Sequence, residues 1–236
     1  MSSFIIMCGG MSKRFKADVP KVIYPINEKP MIIHILEKCY KIGFNKIIIV
    51  VGVYEELIKN TIKKYYNDDN IIYVRQEIAN GTAGAILPCM NYIKDLNDVY
   101  ILSGDVPFIS VETIKNLKIN SILITKLTNP YGNGRIIIEN GKVIKIIEEK
   151  DCTDEQKLIQ LVNCGIYHLS SNDIVKYLPL INNNNKSGEY YLTDIVELIN
   201  NLNYYELPNS NLIEIYNINT MEDLQNAINI YNKKID

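Results

Sequence analysis

Phe4-Ile5-Ile6-Met7-Cys8-Gly9-Gly10 sets the pattern for the whole chain: a short apolar run that stops at two glycines. Such a run reads as a buried strand, and the glycine pair lets the backbone turn sharply where the strand ends. The segments that follow repeat this alternation. Met31–Ile42, Glu55–Tyr65 and Thr82–Ile93 carry apolar residues at three- and four-residue steps, which predicts helices. Lys46–Gly52, Ile71–Gln76 and Val99–Ser103 are β-branched-rich runs and predict strands. Strand and helix in alternation imply βαβ units, hence an α/β fold on a mostly parallel sheet covered on both faces. Sheets of this kind bind ligands beyond the carboxyl ends of their strands. The loops after Cys8, Gln76 and Ser103 are therefore the places to look for chemistry.

The second half reads differently. Arg135–Ile138 and Val143–Ile147 flank Glu139-Asn140-Gly141-Lys142, and Asn-Gly between β-branched runs predicts a hairpin. Cys164–Leu169 predicts a further strand, Gly188–Leu202 a helix and Leu212–Asn217 an extended segment. Thr220–Lys234 predicts a closing helix with Thr220 as N-cap and Asp223 at the third helical position, a capping-box spacing. No internal repeat and no Pro/Gly/Ser-rich linker divides the chain. The expectation is one domain over 1–236, with a first half to about 125 and a second half with closing elements over about 126–236.

Composition excludes several classes. Of 236 residues 47% are apolar, enough for a sizeable core, and the net charge of −2 with no Lys/Arg block argues against nucleic-acid binding. No apolar stretch reaches the roughly 18 residues that span a bilayer, so no membrane partner is expected. The apolar run near the N-terminus is too short for a signal-peptide core, which together with the cysteines points to the cytoplasm. Five scattered cysteines, odd in number and without a CxxC pair, fit small apolar residues in a reducing compartment. The two histidines, His34 and His168, have no metal-ligand spacing, so zinc catalysis and a Ser-His-Asp triad are poorly supported. Oligomeric state is not legible.

Three loops carry candidate chemistry. After Cys8-Gly9-Gly10 come Arg14 and then Pro20-Lys21: turned backbone N–H groups and two cations suit a triphosphate, although two glycines alone fit a plain tight turn better. Gly104-Asp105-Val106-Pro107 puts a carboxylate at the end of a predicted strand, where a hard oxygen ligand suits Mg²⁺; Asp-Val-Pro is also an ordinary turn. Gln76 ends its strand ahead of Gly81-Thr82, and its amide matches the imide edge of uracil, though taken alone a surface Gln before a capped helix start is the better reading. Neither the Walker pattern nor GxGxxG is present.

In combination these residues resemble the uridylyltransferase half of the bacterial bifunctional enzymes that make UDP-N-acetylglucosamine. The resemblance rests on Arg14, Pro20-Lys21, Gln76 with Gly81-Thr82 five residues later, and Gly104-Asp105-Val106-Pro107. It rests further on Tyr131-Gly132-Asn133-Gly134-Arg135, Glu148-Glu149-Lys150-Asp151 and Asn163-Cys164-Gly165. Above all it rests on the run from Asn183 to Gly188-Glu189-Tyr190-Tyr191-Leu192-Thr193-Asp194. It covers essentially the whole chain. It implies a three-layer nucleotide-diphospho-sugar transferase fold, Rossmann-like, with a mixed, mostly parallel central sheet and a small sugar-binding lobe.

The resemblance also implies roles. Cys8, Gly9, Gly10, Arg14 and Lys21 would surround the nucleotide phosphates, and Gln76, Gly81 and Thr82 would hold uracil. Gly134, Glu148 and Asn163 would hold the amino sugar, and Asp105 with Asn217 would ligate Mg²⁺. The implied reaction joins UTP to N-acetylglucosamine 1-phosphate with release of pyrophosphate; another sugar 1-phosphate or dTTP is the nearer alternative. A catalytically silent nucleotide-sugar-binding module is the alternative from another class, and its mark would be loss of Lys21, Asp105 or Asn217, all of which are present. Three positions depart from the family: Ser12 and Lys13 in the phosphate loop, and Ser103 where the family commonly has Tyr. The left-handed β-helix that carries acetyl transfer in the family has no counterpart in these residues, so that activity is not expected.

Overall fold

The computed structural model describes residues 2–10, 15 and 19–232. In chain order the elements are β1 (Ser2–Met7), β2 (Pro25–Ile26), β3 (Lys29–Pro30), α1 (Met31–Ile42), β4 (Phe44–Val51), α2 (Glu55–Lys63) and β5 (Ile71–Arg75). Then follow α3 (Thr82–Ile86), α4 (Met90–Ile93), β6 (Asp98–Ser103), α5 (Val111–Asn116), β7 (Ser121–Lys126), β8 (Arg135–Glu139) and β9 (Lys142–Ile147). The chain ends through α6 (Asp154–Lys157), β10 (Leu161–Ser170), α7 (Ser171–Tyr177), α8 (Ile195–Ile199), β11 (Asn203–Glu206) and α9 (Met221–Asn232). The fold is α/β on a mixed, mostly parallel central sheet, as the alternation of elements implied.

Contacts divide the chain into two compact units. The first comprises Met1–Ala79, Leu102–Val111 and Ile213–Asp236; the second comprises Asn80–Ile101 and Glu112–Leu212. In the first, β1 pairs in parallel with β4, and β4 in parallel with β5. Ile47 through Val51 of β4 are fully buried, the mark of a strand covered on both faces. A cluster of Phe15, Ile26, Met31, Ile218, Leu224 and Ala227 fixes α9 to this unit, so the C-terminal segment packs with the N-terminal one.

Helix α9 starts as its sequence dictates. Asp223 N donates to Thr220 Oγ1 (3.1 Å) and Thr220 N donates back to Asp223 Oδ2 (2.8 Å), a closed capping box.

In the second unit β10 runs antiparallel to β7 and to Asp98–Ile101 of β6, and β11 lies parallel to β7. The Asn-Gly hairpin forms as expected between β8 and β9, with Asn140 and Gly141 at φ 50° and 72°.

Three sequence expectations fail, each for a local reason. Thr82–Ile93 is not one helix: Pro88 lacks an N–H, and a 3-10 turn over Leu87–Cys89 separates α3 from α4. Gly188–Leu202 is helical only over Leu192–Asp194 (3-10) and α8. Its first residues are drawn out instead, because Tyr190 N donates to Asn80 O (2.8 Å) and Tyr190 O accepts from Ala83 N (2.9 Å). Leu212–Asn217 is not extended: a 3-10 helix occupies Asn209–Ile215, opened by Asn211 N on Pro208 O. Strands β7 and β11 were not legible in the sequence, nor were α5, α6 and α7. Among the described residues no helix is long and apolar enough to cross a membrane.

Candidate active site

In the first unit the parallel strands deliver their carboxyl ends to one edge. Cys8 continues β1 by donating its N–H to Val50 O (2.8 Å), and Gln76 continues β5 by donating to Val51 O (2.8 Å). A side chain on Gly9 would put its Cβ 3.1 Å from Gln76 Oε1, and one on Gly52 would meet Gly9 O at 2.7 Å. Close backbone approach thus requires glycine at 52, and the Gln76 amide, the predicted uracil reader, lies against Gly9. Gly10 is exposed with open space about its Cα. Arg14, Ser12 and Lys13 lie outside the described residues.

Beside this edge Gly104 N donates to Met7 O (3.0 Å), and a Cβ at Gly104 would meet Cys8 Sγ at 2.7 Å. The Cys8 thiol, 4% exposed, is pushed up far beyond the usual thiol range. Burial is the main cause, the Asp105 charge adds to it, and Lys21 opposes. It is structural rather than reactive.

Asp105 is 8% exposed and held at both carboxylate oxygens: Ser103 Oγ donates to Oδ1 (2.6 Å) and the Lys21 ammonium donates to Oδ2. Its own carbonyl accepts from Ile218 N (3.0 Å). Ser103, which departs from the family's Tyr, therefore has a local task in orienting this carboxylate. Lys21 also donates to Asn219 Oδ1 (2.8 Å), and Asn219 Nδ2 donates in turn to Asn217 Oδ1 (2.9 Å).

The asparagine that meets Lys21 is Asn219; Asn217, the sequence choice, stands one hydrogen bond further out. The two lie two residues apart in Tyr216-Asn217-Ile218-Asn219-Thr220, and sequence alone offers no means of choosing between them. The choice is made by the Ile218–Asp105 bond, which fixes the backbone between them.

Among the described residues no group of three or more His, Cys, Asp or Glu side chains could hold a metal. The oxygens of Asp105 and Asn219 nevertheless converge on one cation, the Lys21 ammonium. Hard oxygen donors already gathered about a positive charge fit Mg²⁺, which takes few protein ligands and keeps waters and phosphate oxygens for the rest.

The loop bearing Asp105 is gripped at two further points. Lys38 on α1 donates to Pro107 O and to His34 O (2.9 Å), and Ser110 N donates to Glu214 Oε2 (2.9 Å). Burial pushes the Lys38 ammonium down to about 8.

The second unit holds the other candidates. Gly81 sits at φ 119° and ψ 176°, a conformation reserved for glycine, and a Cβ there would meet Tyr190 O at 2.4 Å. Thr82 Oγ1 accepts from Leu192 N (2.8 Å). The Gly81-Thr82 turn and the Gly188–Asp194 segment are thus one backbone assembly, which explains why both motifs occur together. Asn185 braces the approach, accepting from Ser187 N (3.1 Å) and donating to Glu189 O (2.6 Å).

Gly134, Glu148 and Asn163, which the resemblance assigns to the sugar, lie close to one another. Asn163 N donates to Gly134 O (2.9 Å); a Cβ on Gly134 would lie 3.6 Å from Glu148 Oε1 and 3.7 Å from Asn163 Cβ, and would clash with Ile146 at 2.7 Å. Thr193, which sequence reasoning passed over as a site residue, donates its hydroxyl to Glu148 Oε1 (2.9 Å). Burial raises the Glu148 carboxyl above its ordinary value, and the Thr193 bond opposes this. Glu148 also lines a cavity of about 340 Å³ with Asp151, Tyr191 and Asp194; Gly134 and Asn163 do not line it. Behind Tyr131–Gly134 the buried Arg135 guanidinium joins Asn133 O to Glu149 Oε2 (2.7 Å).

Comparison with known proteins accords with this arrangement. Residues 4–121 match the family described as the MobA-like NTP transferase domain. Over 237 residues the chain is 43% identical to a protein of Acanthamoeba polyphaga mimivirus named probable UDP-N-acetylglucosamine pyrophosphorylase, covering 93% of this chain and 92% of that one. In fold it is similar to UDP-glucose pyrophosphorylase complexed with UDP-glucose, with a TM-score of 0.81 at 20% identity over 99% of each chain. The structure of an apo UDP-glucose pyrophosphorylase gives 0.78 at 18% identity over 100% of each chain.

Proposed function

Because the chain belongs to the MobA-like NTP transferase family and is a sugar-1-phosphate nucleotidyltransferase, we propose that its reaction joins UTP to N-acetylglucosamine 1-phosphate and releases pyrophosphate. The Lys21–Asp105–Asn219 cluster carries this reading. It gathers one cation and two hard oxygens next to turned backbone at a strand end, the equipment for moving a nucleotidyl group rather than for acid–base chemistry.

The nucleophile is a phosphate oxygen of the sugar 1-phosphate. A monoester's second pKa lies near 6, so this oxygen is already ionised and requires no side-chain base. It attacks the α-phosphorus of UTP, the bond from that phosphorus to the bridging oxygen breaks, and pyrophosphate departs with the electron pair. Lys21, joined by Arg14, offsets the negative charge that grows on the leaving group. Asp105 and Asn219 would hold Mg²⁺, with Ser103 and Asn217 orienting their oxygens. Bound there, the ion would neutralise phosphate charge.

In this reading the Gln76 amide, a donor and an acceptor, suits the imide edge of uracil. Gly134, Glu148 and Asn163 hold the sugar, with Thr193 fixing the rotamer of Glu148. The identity of the sugar is supported by the 43% relative and by the polar groups of Glu148, Asn163 and Thr193 gathered beside Gly134.

The test is pyrophosphate release by purified protein with Mg²⁺ and UTP, comparing N-acetylglucosamine 1-phosphate, glucose 1-phosphate, galactose 1-phosphate and no sugar, with dTTP in parallel. The expected result is release that depends on the acetylated sugar and UTP and stops with EDTA. Preference for another sugar or for dTTP would overturn the substrate assignment.

A further inference from the structure

Strand β10 contains an irregularity that brings two side chains together. On β7, Ile124 and Ile122 lie two residues apart, yet their partners on β10, Asn163 and Tyr167, lie four apart. The intervening Cys164–Ile166 bulges out of the ladder, with Gly165 at φ 71°. In a regular strand, residues four apart are separated by roughly 13 Å. Here Asn163 Nδ2 reaches the Tyr167 hydroxyl at 2.8 Å.

The other end of the same amide is also engaged, since Gly165 N donates to Asn163 Oδ1 (3.0 Å). A backbone N–H can only donate, so the atom facing Gly165 must be the amide oxygen and the atom facing Tyr167 must be the nitrogen. The amide has one orientation and no flipped alternative. One Nδ2 hydrogen and one Oδ1 lone pair remain in a fixed direction, on a residue whose Cβ lies 3.7 Å from where a Gly134 Cβ would be. Tyr167 itself is 2% exposed and its phenol is raised well above the usual range, first by burial and next by the Glu148 charge. It is a buried anchor and does not ionise in the working range.

We propose that Tyr167 is a positioning residue for the sugar: with the flip state set by Gly165 N, its hydroxyl anchors the Nδ2 end of the Asn163 amide and aims the remaining Nδ2 hydrogen at the substituent distinguishing an acetamido sugar from a plain hexose. The inference rests on the proposed function and adds the residue that sets its sugar selectivity. Tyr167 acts through Asn163 and touches no reacting atom.

Tyr167→Phe removes one oxygen and keeps the packing of the ring. The readouts are kcat, KM for UTP and KM for each sugar 1-phosphate, measured for wild type, Tyr167→Phe, Asn163→Ala and the double variant, with Tm as a check on folding. Expected for Tyr167→Phe is a rise of about tenfold in KM for N-acetylglucosamine 1-phosphate, the scale of leaving one polar group unpaired. KM for UTP stays as in wild type, and the preference over glucose 1-phosphate narrows. On the Asn163→Ala background the second substitution has no further effect, because coupled residues are non-additive. An unchanged sugar KM in Tyr167→Phe, or losses that simply add in the double variant, would overturn the positioning role while leaving the proposed function intact. Wild-type protein with no sugar-dependent release would overturn both.

Discussion

Replacing Gly81 with alanine tests the joint between the Gly81-Thr82 turn and the Gly188–Asp194 segment. Two costs follow from the geometry. At φ 119° and ψ 176° the backbone lies in a region that other residues enter at about 1–3 kcal/mol. The new Cβ would also stand 2.4, 2.7 and 2.9 Å from Tyr190 O, N and C. All three are backbone atoms, so no rotamer relieves the overlap and the backbone at Tyr190 must retreat. Retreat stretches the bonds from Tyr190 N to Asn80 O and from Ala83 N to Tyr190 O, each worth about 1 kcal/mol net. The sum is roughly 3–5 kcal/mol, which for a chain of this length lowers Tm by about 6–20 °C. Thermal unfolding followed by circular dichroism reads the stability, and KM for UTP reads the role proposed for the Gly81-Thr82 turn; both should worsen. Gly141→Ala serves as control: its φ is 72° but nothing lies within 4 Å, so only about 1 kcal/mol is at stake. Equal Tm values for the two variants, with an unaltered KM for UTP in Gly81→Ala, would refute the reasoning.

Lys21→Ala and Asp105→Ala should each lower kcat/KM by about tenfold or more, the scale of losing one preorganised charge, with near-native circular dichroism; normal turnover in both would remove them from the mechanism. Burial depresses Lys38 from 10.5 to about 8. Below pH 8 both folded and unfolded chains hold that proton and the burial penalty is fully present; between pH 8 and 10.5 only the unfolded chain keeps it, so folded stability rises with pH by up to roughly 3 kcal/mol. Urea unfolding across that window should show the rise in wild type and its loss in Lys38→Met, and identical pH profiles would contradict it. Thr220→Ala opens the α9 capping box and should cost about 1 kcal/mol in urea unfolding; no change would mean that Asp223 alone holds the helix start.

What the sequence determined by itself is everything fixed by local periodicity or by a side chain meeting its neighbours in the chain. Helix α1 matches its predicted bounds, Met31–Ile42, because apolar positions at three- and four-residue steps bury one face whatever the sheet order. The Asn140-Gly141 hairpin and the Thr220–Asp223 cap are written in residues a few positions apart. The candidate site was legible as motifs: Lys21 with Asp105, and Gly134 with Glu148 and Asn163, all meet within their units.

Tertiary structure alone decided the rest. Gly188–Tyr191 has residues that fit a helix, yet hydrogen bonds to Asn80 and Ala83, more than a hundred positions earlier, hold it extended. Asn219 rather than Asn217 meets Lys21 because Asp105 pins Ile218 between them. Tyr167 reaches Asn163 because β10 must admit extra residues against β7. In each case the deciding contact joins atoms whose proximity depends on how strands are ordered and registered, and no window of sequence carries that information.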